Sequence, residues 1–547
     1  MNERKLKLKE LNYKGTAASP GIAVGKLSFF KSGISQIPSY MIYHVESEIM
    51  RYENAKKIAD NELEALYRRA LEVSGGENAE IFSIHRIMLD DPDLCDEIEK
   101  NIRERRINAE SAVSRAADTF IRMLENTNDA YLKARTTDVR DISERLIKIL
   151  LGKNTDAAVF SEESILYTDD LTPSEAIQLD KSKILGIVTA YGSSNSHTAI
   201  LARTNGIPCI VGCGTIPEIF NGQYIAIDGG TGVYEINPSE ATIERYKKLM
   251  DEEHSRRERL NALKGLPTRT SEGKTIQLYA NIGNPGDVDA VIENDAEGIG
   301  LFRTEFIFME RTELPGEDEQ FRIYQEVVKR MDGKKTVIRT LDIGADKHAE
   351  YLKLPIEENP ALGLRGIRMC LSKTDMFTGQ LRALIRASAY GKLAIMFPMI
   401  ASVWEIREIK KLIKEICRRL DGDKIKYDHS LEIGIMIETP AAALISDILS
   451  SEVDFFSIGT NDLTQYTLAA DRQNPAVSRY YRQDHEAVLS LIKTTCDNAH
   501  KAGIWVGVCG EIASDMSMVR KLISLGVDEL SVSPPMVLPI REKIRNL

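Results

Sequence analysis

A chain of 547 residues, 43% hydrophobic and 28% charged, is too long for one hydrophobic core and too apolar for disorder, so two to four folded domains are expected. A formal net charge of −11 argues against nonspecific nucleic-acid binding and leaves any anionic substrate to a local arginine cluster; no uncharged apolar run is long enough to span a bilayer. The lysine-rich start, MNERKLKLKELNYKG, is no signal peptide, and the seven scattered Cys lack zinc-site spacing even at Cys209 and Cys213, so a cytosolic protein with reduced thiols is expected.

Residues 14–30, KGTAASPGIAVGKLSFF, are rich in small and β-forming residues and predict a turn and strand. From Val45 to Leu151 the texture is charged and periodic, with apolar residues at helical spacing, which predicts a subdomain of four or more helices. After Gly152 come short β-rich runs, ESILYT, KILGIVTA, CIVG and YIAIDG, separated by helical stretches, as in an α/β unit. The opening strand shares that texture, so the helical block is expected to be an insertion. The predicted domains are 1–30 plus 152–238 (α/β), 31–151 (helical), a charged linker helix over 239–263, and 264–547.

The last region holds eight β-like runs: IQLYANI, GIGLFRTE, TVIRTLD, LAIMFPM, EIGIMIET, FFSIGTND, WVGVCGE and DELSVS. Eight such units in under 300 residues predict a (β/α)8 barrel, whose catalytic groups sit at the C-terminal strand ends. NPALGLRGIRM, between the third and fourth runs, reads as neither strand nor helix. The strand ends carry Arg303 and Glu305, Arg339 and Asp342, Glu438, Asn461 and Asp462, and Cys509 and Glu511. One charged strand end is ordinary surface, but five of eight are a pattern. Arginine's planar fork matches phosphate and carboxylate oxygens, so Arg303, Arg339, Arg472 and Arg365 are candidates to clamp a small polyanion. Glu438 and Asp462 would repel that anion, so they either bracket a hard cation such as Mg²⁺ or form separate salt bridges to the arginines. A thiol behind an apolar run, as at Cys509, is usually a small buried hydrophobe; here the following glycine leaves room for a ligand.

In GSSNSHTAILART, either Asn195 or Ser196 is a plausible N-cap, which places His197 at a helix N-terminus. There the helix dipole disfavours imidazolium, and free N–H groups can receive an attached phosphoryl group. Taken alone, the motif reads as an ordinary capped helix with an incidental histidine.

ASPGIAVG, DLTPSEA, NSHTAILART, GIGLFRTEF, RTLDIGADK, IMIETPAA, FFSIGTNDLTQYTLAADR and VCGEIA together resemble the Enzyme I family of the phosphoenolpyruvate-dependent sugar phosphotransferase system, over essentially the whole chain. The resemblance implies a phosphotransferase that moves the phosphoryl group of phosphoenolpyruvate to His197, on a swivelling α/β domain, and then to the histidine-containing phosphocarrier protein. It further implies that Cys509 protonates the departing enolate and that Arg303, Arg339, Arg365, Asn461, Asp462 and Arg472 bind phosphoenolpyruvate, with Glu438 and Asp462 as Mg²⁺ ligands. The helical insertion would dock the phosphocarrier, and the barrel would form a homodimer. Three positions depart from the family pattern: Ser194 replaces an arginine, Ala176 a threonine and Ala345 a glycine. The first two are expected near the nucleophile and bear on how a phosphohistidine is held. A dikinase would require an additional ATP-binding domain, and a purely regulatory relative would not need His197, Cys509 and the arginines together.

Overall fold

The structure, a computed structural model, describes residues 11–30, 37–74, 76–125, 135–152, 162–172, 174–175, 179–194, 196–309, 313–344, 350–352, 354 and 357–547. The chain forms two compact units, Met1–Ser255 and Arg256–Leu547.

In the first unit, strands β1 (Leu11–Lys14), β2 (Thr16–Ser19) and β3 (Ile22–Phe29) share one sheet with β4 (Ser164–Thr168), β5 (Ile184–Thr189), β6 (Cys209–Val211), β7 (Tyr224–Asp228) and β8 (Val233–Ile236). The order is β1-β8-β7-β3-β4-β5-β6-β2. Strand β3 runs parallel to β4, Lys26 opposite Ser164, and antiparallel to β7, Ile22 opposite Asp228. The sheet is buried on both faces. Alternation along β4 sends Ile165 and Tyr167 to one core with Leu27 and Ile225, and Leu166 to another with Ile187, Ala199 and Ala202.

Helices α1 (Val45–Ser74), α2 (Gly76–Leu89), α3 (Pro92–Arg105), α4 (Ala109–Glu125) and α5 (Thr136–Leu150) lie between β3 and β4 in the chain. They enclose a separate core that includes Tyr52, Leu63, Phe82, Ile98, Ile102, Val113, Ile142 and Leu146. Helix α3 starts where its sequence dictates: Asp91 accepts from the Leu94 N–H at 3.1 Å, and Pro92 follows where no N–H is needed. Helix α6 (His197–Thr204) packs Ala199 and Ala202 against the sheet, and α7 (Glu240–Asn261) buries only Tyr246, as its charged composition predicts.

The second unit is a closed parallel barrel. Its strands are β9 (Gln277–Ile282), β10 (Gly298–Arg303), β11 (Lys335–Arg339), β12 (Leu393–Phe397), β13 (Glu432–Ile437), β14 (Phe455–Ile458), β15 (Trp505–Val508) and β16 (Glu529–Val532). These are the eight runs read from the sequence. Period-two alternation explains their composition: Val337, Met396, Met436 and Phe455 fill the lumen, while Ile338, Ile395, Ile437 and Phe456 face outward into the helix-covered core. The unassigned NPALGLRGIRM segment forms a 3-10 turn at Pro360–Leu362 and a short helix, Gly366–Ser372, with Arg365 at its start.

Candidate active site

Of the barrel residues singled out from the sequence, all but Arg365 and Arg472 lie at or just past the C-terminal ends of parallel strands; Arg365 starts the short helix Gly366–Ser372. Arg303 and Arg339 end adjacent strands and sit in register. Glu438 follows β13, and Cys509 follows β15. Asn461 and Asp462 lie in the first turn of helix Thr460–Leu468, directly after β14, and Arg472 follows that helix. A parallel barrel sends every strand end to one face, so residues from Arg303 to Cys509, 206 positions apart in sequence, converge there.

The arginines are not equivalent. Arg339 is buried; its Nη2 donates to Glu305 Oε1 at 2.6 Å, and its Nη1 lies 3.2 Å from Asp342 Oδ2. Arg365 is also buried; its Nη2 donates to both Asp342 oxygens at 3.1 and 3.0 Å, and its Nη1 to Asp462 Oδ1 at 3.4 Å and to the Tyr466 hydroxyl at 3.2 Å. Arg303 is exposed, and Arg472 stands 3.8 Å from Asp462 Oδ2 with its side chain 38% exposed. Two guanidinium groups are therefore held rigid by carboxylates, while two present themselves to solvent. Burial opposes charge on Arg339 and Arg365, but the surrounding carboxylates outweigh it and raise both pKa values.

The acid pair does not form two separate salt bridges to the arginines. Asp462 pairs with Arg365 and Arg472, whereas Glu438 forms no salt bridge among the described residues. Glu438 Oε1 accepts from the Met399 N–H at 2.6 Å, and Oε2 is buried with no hydrogen-bond partner there. Met399 adopts φ 59°, a left-handed conformation rare for a residue with a Cβ, and its N–H serves that carboxyl. Burial, then the charges of Asp462 and Asp342, push the Glu438 carboxyl up to about 8. An acidic pocket with an orphaned oxygen suits a hard cation. Among the described residues no three His, Cys, Asp or Glu side chains form a metal-sized group, so such a cation would take much of its coordination from water and substrate oxygens.

Asn461 Oδ1 accepts from the Glu511 N–H and from Gln483 Nε2, each at 3.1 Å, and its Nδ2 donates to Glu511 Oε1 at 3.2 Å. Its amide is thereby fixed in orientation. The Cys509 thiol is buried and donates to the Ile458 carbonyl at 3.7 Å; burial pushes its pKa up to about 11, with Ser457 opposing, so it is protonated at neutral pH. Sequence reading assigned no role to Glu305, Asp342, Tyr466 or Gln483. Glu305 and Asp342 stood at strand ends in plain view; Tyr466, four residues after Asp462, was visible only as helical spacing.

In the first unit, His197 is the first residue of α6 and Ser196 is the N-cap, its hydroxyl accepting from the Ala199 N–H at 3.3 Å. Asn195, Ala176, Ala345 and the side chain of His197 lie outside the described residues. Next to the nucleophile candidate, the Thr198 hydroxyl donates to Asp170 Oδ1 at 2.6 Å and accepts from the Leu171 N–H at 3.1 Å, locking α6 to the DLTPSEA segment. At Ser194, where the family pattern has an arginine, Arg203 Nη2 donates to the backbone carbonyl at 2.6 Å.

Residues 257–547 match the PEP-binding domain of PEP-utilising enzymes, 14–135 their N-terminal domain and 160–232 their mobile domain. The phosphoenolpyruvate-protein phosphotransferase of Priestia megaterium is 43% identical over 535 residues, 97% of this chain and 93% of that one. That of Haemophilus influenzae is 44% identical over 537 residues, again 97% and 93%. A solution structure of Enzyme I aligns at 36% identity with a TM-score of 0.38, over 44% of this chain and 99% of that one.

Proposed function

We propose a function from one premise: the chain belongs to the phosphoenolpyruvate-protein phosphotransferase family. It is an enzyme of the PEP-utilising class. In our reading it transfers the phosphoryl group of phosphoenolpyruvate to His197 and from there to the histidine-containing phosphocarrier protein, in the cytosol. The observation that carries this is the barrel mouth, where Arg339 Nε, Arg365 Nε and Glu438 Oε2 are buried polar atoms without hydrogen-bond partners among the described residues. Native interiors rarely leave such atoms unpaired, and here they sit where an anion and a cation would meet.

Arg303 and Arg472, both exposed, would capture the incoming phosphate and carboxylate, while Arg339 and Arg365 wait in fixed orientation. Phosphoryl transfer demands positioning and charge neutralisation more than covalent assistance. Mg²⁺, held by Glu438 and Asp462, would supply neutralisation of the phosphate oxygens. Asn461, its amide fixed by Glu511 and Gln483, would orient the substrate. The protonated Cys509 thiol would deliver a proton to the enolate carbon as pyruvate forms. At the head of α6, His197 would be kept neutral and nucleophilic by the helix dipole. We assign phosphocarrier docking to the helical insertion, residues 31–151, between the two parts of an α/β phosphohistidine domain, 1–30 and 152–238. A hinge near the linker, 239–263, would let that domain serve both partners, and barrel 264–547 would form the homodimer.

Incubation with phosphoenolpyruvate and Mg²⁺, without ATP, should yield pyruvate and one acid-labile phosphate per chain, which passes to added phosphocarrier. Labelling that survives His197→Ala would remove His197 as the acceptor.

A further inference from the structure

Below the barrel mouth lies a carboxyl that this chemistry does not use. Glu529, the first residue of β16, is 2% exposed, and its Oε1 has no hydrogen-bond partner among the described residues. Two glycines make its socket. A Cβ at Gly507 would stand 2.0 Å from Glu529 Oε2; one at Gly300 would stand 2.7 Å from Oε1 and 2.4 Å from Ser531 Oγ. A side chain at either position would force the carboxyl or its neighbours to move, and the two glycines leave that space open beside it.

The socket lies directly under the proposed proton donor. Gly507 and Cys509 are two residues apart on β15 and its extension, and alternation puts them on the same face, about 6.6 Å apart along the strand. Hydroxyls border that gap. Ser531 Oγ donates to Asn281 Oδ1 at 2.7 Å, and Asn281 Nδ2 donates to the Cys509 carbonyl at 3.2 Å. The Ser457 hydroxyl is buried and adjoins the thiol. An ion pair does not account for the acid: the neighbouring cation, Lys335, donates to both Glu432 oxygens at 2.7 and 2.8 Å and lies 5.0 Å above the Trp505 ring. Burial holds the Glu529 carboxyl well above the usual carboxylate range, opposed only by Lys335.

We propose that Glu529 is the internal acid that returns a proton to Cys509 after each turnover. This rests on the phosphotransferase reading and deepens it. Cys509 gives its S–H proton to the enolate carbon, where a C–H bond forms and a thiolate remains. The Glu529 O–H then breaks, its proton reaches Sγ through a hydroxyl or a water, and the carboxylate left behind is reprotonated by solvent water. Glu529 acts through Cys509 and does not touch substrate.

Glu529→Gln preserves shape and neutrality but cannot donate an acidic proton. In quenched-flow mixing with excess phosphoenolpyruvate, Mg²⁺ and purified phosphocarrier, the variant should form its first equivalent of pyruvate at the wild-type rate. Later equivalents should form roughly 100-fold more slowly, the scale of a lost acid–base group, while thiolate ultraviolet absorbance accumulates. Unchanged later turnovers, or a first equivalent slowed by the same factor, would overturn the proposal. Should the variant not fold, the wild-type protein decides: its thiolate should not accumulate in steady state at neutral pH, and persistent accumulation sinks the idea. Failure of the wild-type protein to form pyruvate at all would count against the phosphotransferase reading instead.

Discussion

The residue that organises the barrel mouth is Asp342, which takes two hydrogen bonds from Arg365 and one ion pair from Arg339 while its N–H donates to Glu305 Oε1 at 3.2 Å. Buried ion pairs add little net stability while intact, because desolvation offsets attraction, but breaking one leaves an uncompensated charge. Asp342→Asn should therefore cost about 3 kcal/mol of barrel stability in urea unfolding. Arg472→Ala, at a solvent-facing side chain, should leave stability within about 0.5 kcal/mol and raise the KM for phosphoenolpyruvate instead. Equal losses of stability in the two variants would contradict this division between held and presented arginines.

At the scale of elements, the contact of α5 with the DLTPSEA segment concentrates buried charge. Asp141 accepts from the Ser174 N–H at 3.2 Å, and His85 of α2 lies between Asp138, 3.2 Å from Nε2, and Asp141, 3.8 Å from Nδ1. Glu144 lines the same junction with Glu175. Burial, then the charge of Glu175, pushes the Glu144 carboxyl from 4.5 up to about 7. Between those values the folded chain binds more protons than the unfolded one, so this contribution to stability is complete below pH 4.5 and is lost as pH rises toward 7. Glu144→Gln should flatten that decline in the thermal midpoint of the N-terminal unit; an unaltered slope would show that another group is responsible. Because this segment is also tied to Thr198, next to His197, its packing bears on the histidine's helix as well as on stability.

On the scale of the whole molecule, each unit has its own cores, the sheet and helical clusters in one and the barrel in the other. Calorimetry should resolve two transitions, and phosphoenolpyruvate with Mg²⁺ at 100 times the dissociation constant should stabilise only the barrel, by about 2.7 kcal/mol. A single transition shifted as one would argue against independent units. Much of this was legible in the sequence. The eight barrel runs, the helical periodicity of 45–151 and a cap at Asn195 or Ser196 depend on local spacing and chemistry, which a one-dimensional pattern records directly. The strand-end rule likewise assigns Arg303, Arg339, Glu438, Asp462 and Cys509 to one face. Their partners were not legible. That Asp342 rather than Glu438 pairs with the buried arginines, that Glu438 keeps an orphaned oxygen, and that Gly300 and Gly507 make room for Glu529 are facts about atoms brought close by barrel closure. Sequence determined which residues reach the barrel's interior and mouth; only the tertiary structure decided which charges neutralise one another there, because that depends on distances between strands far apart in the chain.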